Sequence, residues 1–293
     1  MLAGCFTGIE STPKITASDV RREQAQPNPD DNYPGHLDYG RFSEWQPGKR
    51  FVVNDSRIGM VLHDCNGAEA RLLSGDTIIL TGITEMPTLT GENELVITFR
   101  DRTGKSYGYR TGRTADAVKK EEFFEIPFAV EESLVEQVRR KMKDESYYTV
   151  SAMWLDTLCR PRQGRKFVPV RVTDVTAGNA FYQVLLHLDD ENGEPFTLYM
   201  NVGSGLKAPR RFSSMLSLEN PRKRYPDITE DTWRNIINGK VALDMTRDEC
   251  RLALGTPDNV DRTPGYSILR EVWTYENGVY LIFEDGLLRR FRQ

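Results

Sequence analysis

Three histidines and four cysteines are few for a chain of 293 residues. Such sparse use of cysteine excludes a small disulfide-framed scaffold. His63 and Cys65 lack further ligands at the usual spacing, so no metal site is expected. Nowhere do eighteen apolar residues run together, so no segment reads as a membrane-spanning helix. A net charge of −4 and a sequence pI of about 5.6 argue against a general nucleic-acid binder. The hydrophobic fraction of 39% still allows two or three domains with proper cores.

Reactive constellations are equally scarce. In His63-Asp64-Cys65 an extended backbone turns His63 and Cys65 to one side and Asp64 to the other, which breaks a nucleophile–base–carboxylate relay. His187 falls on a strand position expected to face solvent. Asp189, Asp190 and Glu191 precede Asn192-Gly193 and read as turn residues, without the spaced ligands of a calcium loop. No catalytic residue, cofactor or metal is assigned, and the chain is expected to be non-enzymatic. A Cys65–Cys159 bridge is allowed by composition but has no spacing signature.

The body of the chain carries an internal repeat. Residues 75–112 and 164–201 align without gaps at an offset of 89. Apolar positions match apolar positions, and Tyr107 and Tyr109 align with Phe196 and Leu198. The tetrads Asp101–Gly104 and Asp190–Gly193 fall where a hairpin must turn. Strand, long connection, strand, tight turn, strand describes a small barrel or rolled sheet. Two tandem β-domains of SH3-like type are therefore expected, over residues 41–129 and 149–212. Trp45, Tyr107, Tyr109, Tyr182 and Tyr199 are candidates for gripping a glycan or peptide, because aromatic faces stack on sugars and apolar groups. The competing reading for each is core packing.

Residues 130–148 join the repeats. Leu134, Val135, Val138 and Met142 fall on one helical face, so a helix packed on a neighbouring sheet is expected. Residues 213–227 read as a basic, proline-punctuated linker. Arg222, Lys223 and Arg224, with Lys207, Arg210 and Arg211 before them, are candidates for contact with an acidic partner or anionic headgroups.

The last segment, 228–293, has the densest local signals. Thr229 is placed to cap a helix bearing Trp233, Ile236 and Ile237, which Asn238-Gly239 ends. Thr246 and Glu249 form a capping box for a second helix, which Gly255 and Pro257 terminate. Asn277-Gly278 and Asp285-Gly286 then favour tight turns between strands. The order predicted is helix, helix and a three-stranded meander. Met245-Thr246, Glu249, Leu254-Gly255-x-Pro257, Trp273-x-Tyr275 and Phe283-x-Asp285-Gly286 resemble the SmpA/OmlA (BamE-like) domain of outer-membrane lipoproteins. The family usually has Gly before the Met-Thr pair, where this chain has Asp244. The resemblance implies an α+β interaction module in a bacterial envelope, with outer-membrane β-barrels or their assembly factors as partners and Trp273 and Tyr275 as contact residues.

At the other end, Leu2-Ala3-Gly4-Cys5 resembles the lipobox of bacterial lipoproteins, which implies lipidation at Cys5. Asp19 to Gly35 is polar enough to serve as a flexible tether, so residues 1–40 are expected to anchor the body to the outer membrane, periplasmic or surface-facing. The whole is expected to be an α+β multidomain lipoprotein. Two functions follow: a protein-interaction or assembly scaffold, or a ligand-binding protein for glycan or peptide.

Overall fold

A computed structural model describes residues 29–38, 41–88, 91–121, 124–202, 209–264, 269–275 and 278–293. The chain is mixed α+β and strand-rich, with few helices and a curled, half-barrel sheet. The first sheet contains β1 (Arg50–Val53), β2 (Leu62–His63), β3 (Thr77–Pro87), β4 (Asn93–Asp101), β5 (Ser106–Arg110) and β6 (Ala129–Glu131). Their spatial order is β2-β5-β4-β3-β1-β6, and every pairing is antiparallel. A short helix, α1 (Ala115–Lys119), lies between β5 and β6, and α2 (Glu132–Met142) follows β6 directly.

The second sheet contains β7 (Ser146–Thr149), β8 (Met153–Leu155), β9 (Pro161–Gln163), β10 (Pro169–Ala177), β11 (Val184–Asp190), β12 (Pro195–Met200) and, after the helical turn α3 (Phe212–Met215), β13 (Leu216–Ser217). Its order, β9-β8-β12-β11-β10-β7-β13, repeats the first with one strand added at the β8 edge. The duplication therefore spans the whole sheet, beyond the region where the sequence repeat is legible. Local chemistry repeats too. The Asp101 carboxylate accepts from the amides of Thr103 and Lys105, as Asp190 does from Asn192 and Glu194, each inside a hairpin turn.

One detail of the gapless alignment is corrected. Asp101 pairs with Ile78 and Asp190 with Val170, so the β4–β5 hairpin recurs at an offset of 89 but β3 recurs at 92. A β-bulge lies at residue 81 in one sheet and residue 173 in the other, again 92 apart. The strands of the first hairpin are longer, 11 and 9 residues against 9 and 7, and apolar alternation alone cannot fix register across it.

Each sheet buries its own apolar face. Phe51, Ile78, Leu80, Ile97 and Phe99 centre the first core, and Val170, Val172, Leu186, Leu188 and Phe196 centre the second. Leu134, Val135, Val138 and Met142 of α2 go into the second core, as their spacing predicted. The C-terminal unit has its own core under α4 (Glu230–Ile237) and α5 (Arg247–Leu254). Thr229 caps α4 by accepting from the Thr232 amide, and the Thr246–Glu249 capping box opens α5. The sheet below is four-stranded, not three: β14 (Asn259–Pro264) precedes β15 (Leu269–Thr274), β16 (Tyr280–Glu284) and β17 (Leu287–Arg292). Asn-Val-Asp-Arg-Thr-Pro carries a single large apolar residue and pairs on one side only, so it gives no strand signal by composition.

Two further expectations change. Residues 29–38 are packed rather than tether-like: Tyr33 lies against Tyr147 and Phe212, and Leu37 is buried in the second core. Residues 213–227 are also built in, because β13 completes the second sheet and Pro221–Arg224 forms a helical turn. Cys5 and Lys207 lie outside the described residues.

Candidate functional site

Between the repeats lies a groove of about 500 Å³, within the range of ligand-binding sites. One wall comes from the first repeat: Trp45, Asn54, Phe124 to Val130 and the first turn of α2. The other is the β10–β11 hairpin tip, Asn179 to Gln183, with Asn201 behind it. That tip is self-bonded, since the amides of Gly178 and Asn179 donate to the carbonyls of Gln183 and Tyr182.

Few direct bonds cross the groove. Asn54 Nδ2 donates to the Asn179 carbonyl at 2.8 Å, and Gln183 Nε2 donates to Glu125 Oε1 at 2.6 Å. At the margin, the Arg57 guanidinium lies 5.1 Å from the Phe128 ring and 5.9 Å from the Phe181 ring, bridging the walls through cation–π contacts. Hydrogen bonds from Arg57 hold the Asp55 carboxyl below its ordinary range, and the same pair raises the guanidinium. Phe181 is 73% exposed.

Two buried polar atoms on groove residues have no hydrogen-bond partner: the indole Nε1 of Trp45 and Oδ1 of Asn54. An unpaired buried group costs about 1–3 kcal/mol, so such atoms are rare in a finished core. One is a donor and the other an acceptor.

The aromatic candidates divide. Trp45 is buried among Phe42, Phe51 and Phe124 yet lines the groove. Tyr182 lines it as well and stacks on Tyr199 at 5.8 Å with Arg210 over its ring. Tyr199 is half-buried and is not a lining residue. Tyr107, a candidate for gripping a ligand, is instead a core residue outside the groove. Its hydroxyl donates to Asp101, and burial with that carboxylate raises its pKa. Tyr109 packs half-buried on the first core. Asn54, Glu125, Phe128, Phe181, Gln183 and Asn201 carry no sequence motif. They meet only where the first repeat approaches the β10–β11 tip of the second.

The C-terminal candidates are largely internal. Trp273 is 1% exposed, against Phe283, and cannot touch a partner. Tyr275 is half-buried, donates to the Gly255 carbonyl at 3.2 Å, and burial pushes its hydroxyl up to about 12. Arg222 donates to the carbonyls of Tyr225 and Ile228 and lies over the Trp233 ring. Arg224 reaches the buried Asp30 at 3.4 Å, while Lys223 is exposed. The outer face of this sheet instead presents Val272, Ile282 and Tyr280, in register with Arg290 and Arg292. Strand alternation is the signal that distinguishes this set from Trp273.

Near His63, Asp64 is a turn residue that accepts from the amides of Asn66 and Ala68 and pairs with Lys105 at 3.1 Å. Cys65, Cys159 and Cys250 are free thiols, and burial pushes Cys250 up to about 12. Among the described residues no cluster of three His, Cys, Asp or Glu could hold a metal, and no helix is long and apolar enough to cross a membrane. Comparison with protein-family models, curated proteins and solved structures returned no match.

Proposed function

We propose that this chain is a non-enzymatic interaction scaffold of a bacterial envelope, held to the outer membrane by a lipid on Cys5. The groove between the two repeats carries this reading: it joins an aromatic lining to unpaired polar atoms and is spanned by few bonds. The two sheets are taken as SH3-like domains and residues 228–293 as a BamE-like module. That module would offer the outer face of its sheet to outer-membrane β-barrels or their assembly factors. The family assignment rests on the quoted motifs and the helix–helix–sheet order. In-cell crosslinking of the full-length protein beside a Cys5→Ala variant tests the scaffold. Envelope partners captured only with Cys5 present are expected. Equal membrane recovery of Cys5→Ala with no captured protein would refute both anchor and scaffold.

A second reading, a glycan-binding lipoprotein, is favoured by one observation. Amide side chains (Asn54, Gln183, Asn201) and the Tyr182 ring share the groove, a combination suited to hydroxyl-rich ligands.

A further inference from the structure

The duplication allows one copy to interpret the other. In an antiparallel ladder, alternate residues turn their amide and carbonyl groups toward the neighbouring strand and away from it. Val53 bonds toward β3, through its amide to the Asp76 carbonyl and its carbonyl to the Gly75 amide. Val52 therefore bonds with Val130, its register partner, and the Asn54 amide bonds to the Phe128 carbonyl at 3.0 Å. It follows that Glu131 turns its amide away from β1, to the open side of β6. The second sheet has the same pattern: Tyr148 faces Ser217, the Val150 amide bonds to the Met215 carbonyl at 2.9 Å, and Leu218 holds the place of Glu131.

The two outward edges differ in what covers them. In the second copy a helical turn of the chain itself, Pro29–Asn32, covers the edge through the side chain of Asp30 and adds no strand. The Asp30 carboxylate accepts from the Leu218 amide at 2.9 Å and from the Ser217 hydroxyl at 2.7 Å. In the first copy, β6 pairs only with β1 among the described residues, and all three of its residues line the groove. An edge strand left open is a template for another chain.

We infer that β6 receives an extended peptide segment of a partner protein by strand addition, at the place that Pro29–Asn32 covers in the second copy. This rests on the scaffold reading of the groove and names its partner. The peptide's carbonyl takes the Glu131 amide, and its side chains fall alternately into the aromatic lining and out to solvent. The lining contains two carboxylates and no lysine or arginine. Glu131 is paired with Lys49 at 2.6 Å and the marginal Arg57 with Asp55 at 2.7 Å, while Glu125 accepts from the neutral Gln183 amide and supplies the negative charge of the lining. A neutral carbonyl replaces the carboxylate that Asp30 supplies to the other copy, and the peptide is neutral or basic.

Binding is measured by fluorescence anisotropy with the full-length chain. The probes are three labelled ten-residue peptides of alternating apolar and polar residues, with net charges of plus two, zero and minus two. The expected result is saturable binding of the basic and neutral peptides and none of the acidic one. Glu131 has φ −62°, which a proline adopts, so Glu131→Pro removes the N–H with its backbone angle unchanged. It also removes the carboxylate paired with Lys49, and Glu131→Gln, which keeps the N–H, is the control and is expected to retain binding of the neutral peptide. The proline variant is expected to bind at least about tenfold more weakly. Should it fold poorly, hydrogen exchange on the unmodified chain decides: the Glu131 amide is expected to become protected when peptide saturates. Silence of all three peptides overturns the inference, as does binding that leaves the Glu131 amide unprotected. Glycan binding lost in Tyr182→Ala but kept in Glu131→Pro also overturns it, in favour of a saccharide site. Envelope crosslinks that survive in Glu131→Pro would leave the scaffold standing while removing β6 as its contact.

Discussion

At the scale of single residues, the hairpin aspartates show how the repeat was written. Burial raises the pKa of Asp101, but bonds from Thr103, Lys105 and Tyr107 outweigh it and hold the carboxyl below its ordinary value of 3.8. Asp190 follows the same pattern, with Glu194, Asn192 and Arg165 as its partners. A depressed folded pKa adds stability that is fully present above the unfolded value and is lost as pH falls through the folded one. Stability is therefore expected to drop as acid titrates these two groups below pH 3.8. The Asp101→Asn, Asp190→Asn double variant should flatten that acid limb in urea melts taken at successive pH values. Gly164 illustrates a different constraint. A Cβ there would lie 2.2 Å from the Trp154 ring, so Gly164→Ala is expected to cost about 1–3 kcal/mol in a denaturant titration. An unchanged midpoint would mean the indole moves freely. Asp244 has φ 66°, a left-handed conformation that glycine adopts without steric cost. Asp244→Val should cost about 1–2 kcal/mol, and Asp244→Gly should cost less.

At the scale of elements, legibility followed periodicity and capping chemistry. The face of α2, both C-terminal helices and the β4–β5 hairpin with its copy follow from residues that act on near neighbours. Neither β14 nor β13 does, because both are short or polar and gain their bonds only from a neighbouring strand. The motif marks Trp273 as a contact, yet alternation in β15 turns it inward and Val272 outward. Trp273→Ala is accordingly expected to cost about 3–5 kcal/mol, while Tyr280→Ala on the outer face should stay within about 0.5 kcal/mol by thermal melt. One short segment of the second repeat docks on the C-terminal unit, and Ile237 packs back against the second core. Lys166 Nζ donates to the Leu252 and Ala253 carbonyls at 3.2 and 2.9 Å, and Phe167 stacks on Trp233 at 5.4 Å. Burial lowers the Lys166 pKa, and the end-of-helix carbonyls it caps compensate part of that cost. Lys166→Ala should raise amide exchange across α5 and leave the first sheet unaffected. Equal exchange in both would indicate a general loss of stability instead.

At the scale of the molecule, the groove could not be read along the chain, since its walls are joined by residues 58 positions apart in the Glu125–Gln183 bond and 125 apart in the Asn54–Asn179 bond. Trp45 and Tyr182 were reached through their aromatic chemistry, and the amide-bearing wall was not. The unequal covering of two equivalent sheet edges is a property of the duplication as a whole. It separates the first repeat, with its edge on the groove, from the second, with its edge closed by Asp30. The most direct measurement is in-cell photo-crosslinking from position 181 on the groove wall, beside position 73 as an exposed site on the first repeat. The account expects a discrete protein adduct from position 181 that Glu131→Pro abolishes, with none from position 73. Absence of any adduct at 181, or the same adducts from both positions, would contradict the groove as the place where this chain meets its partner.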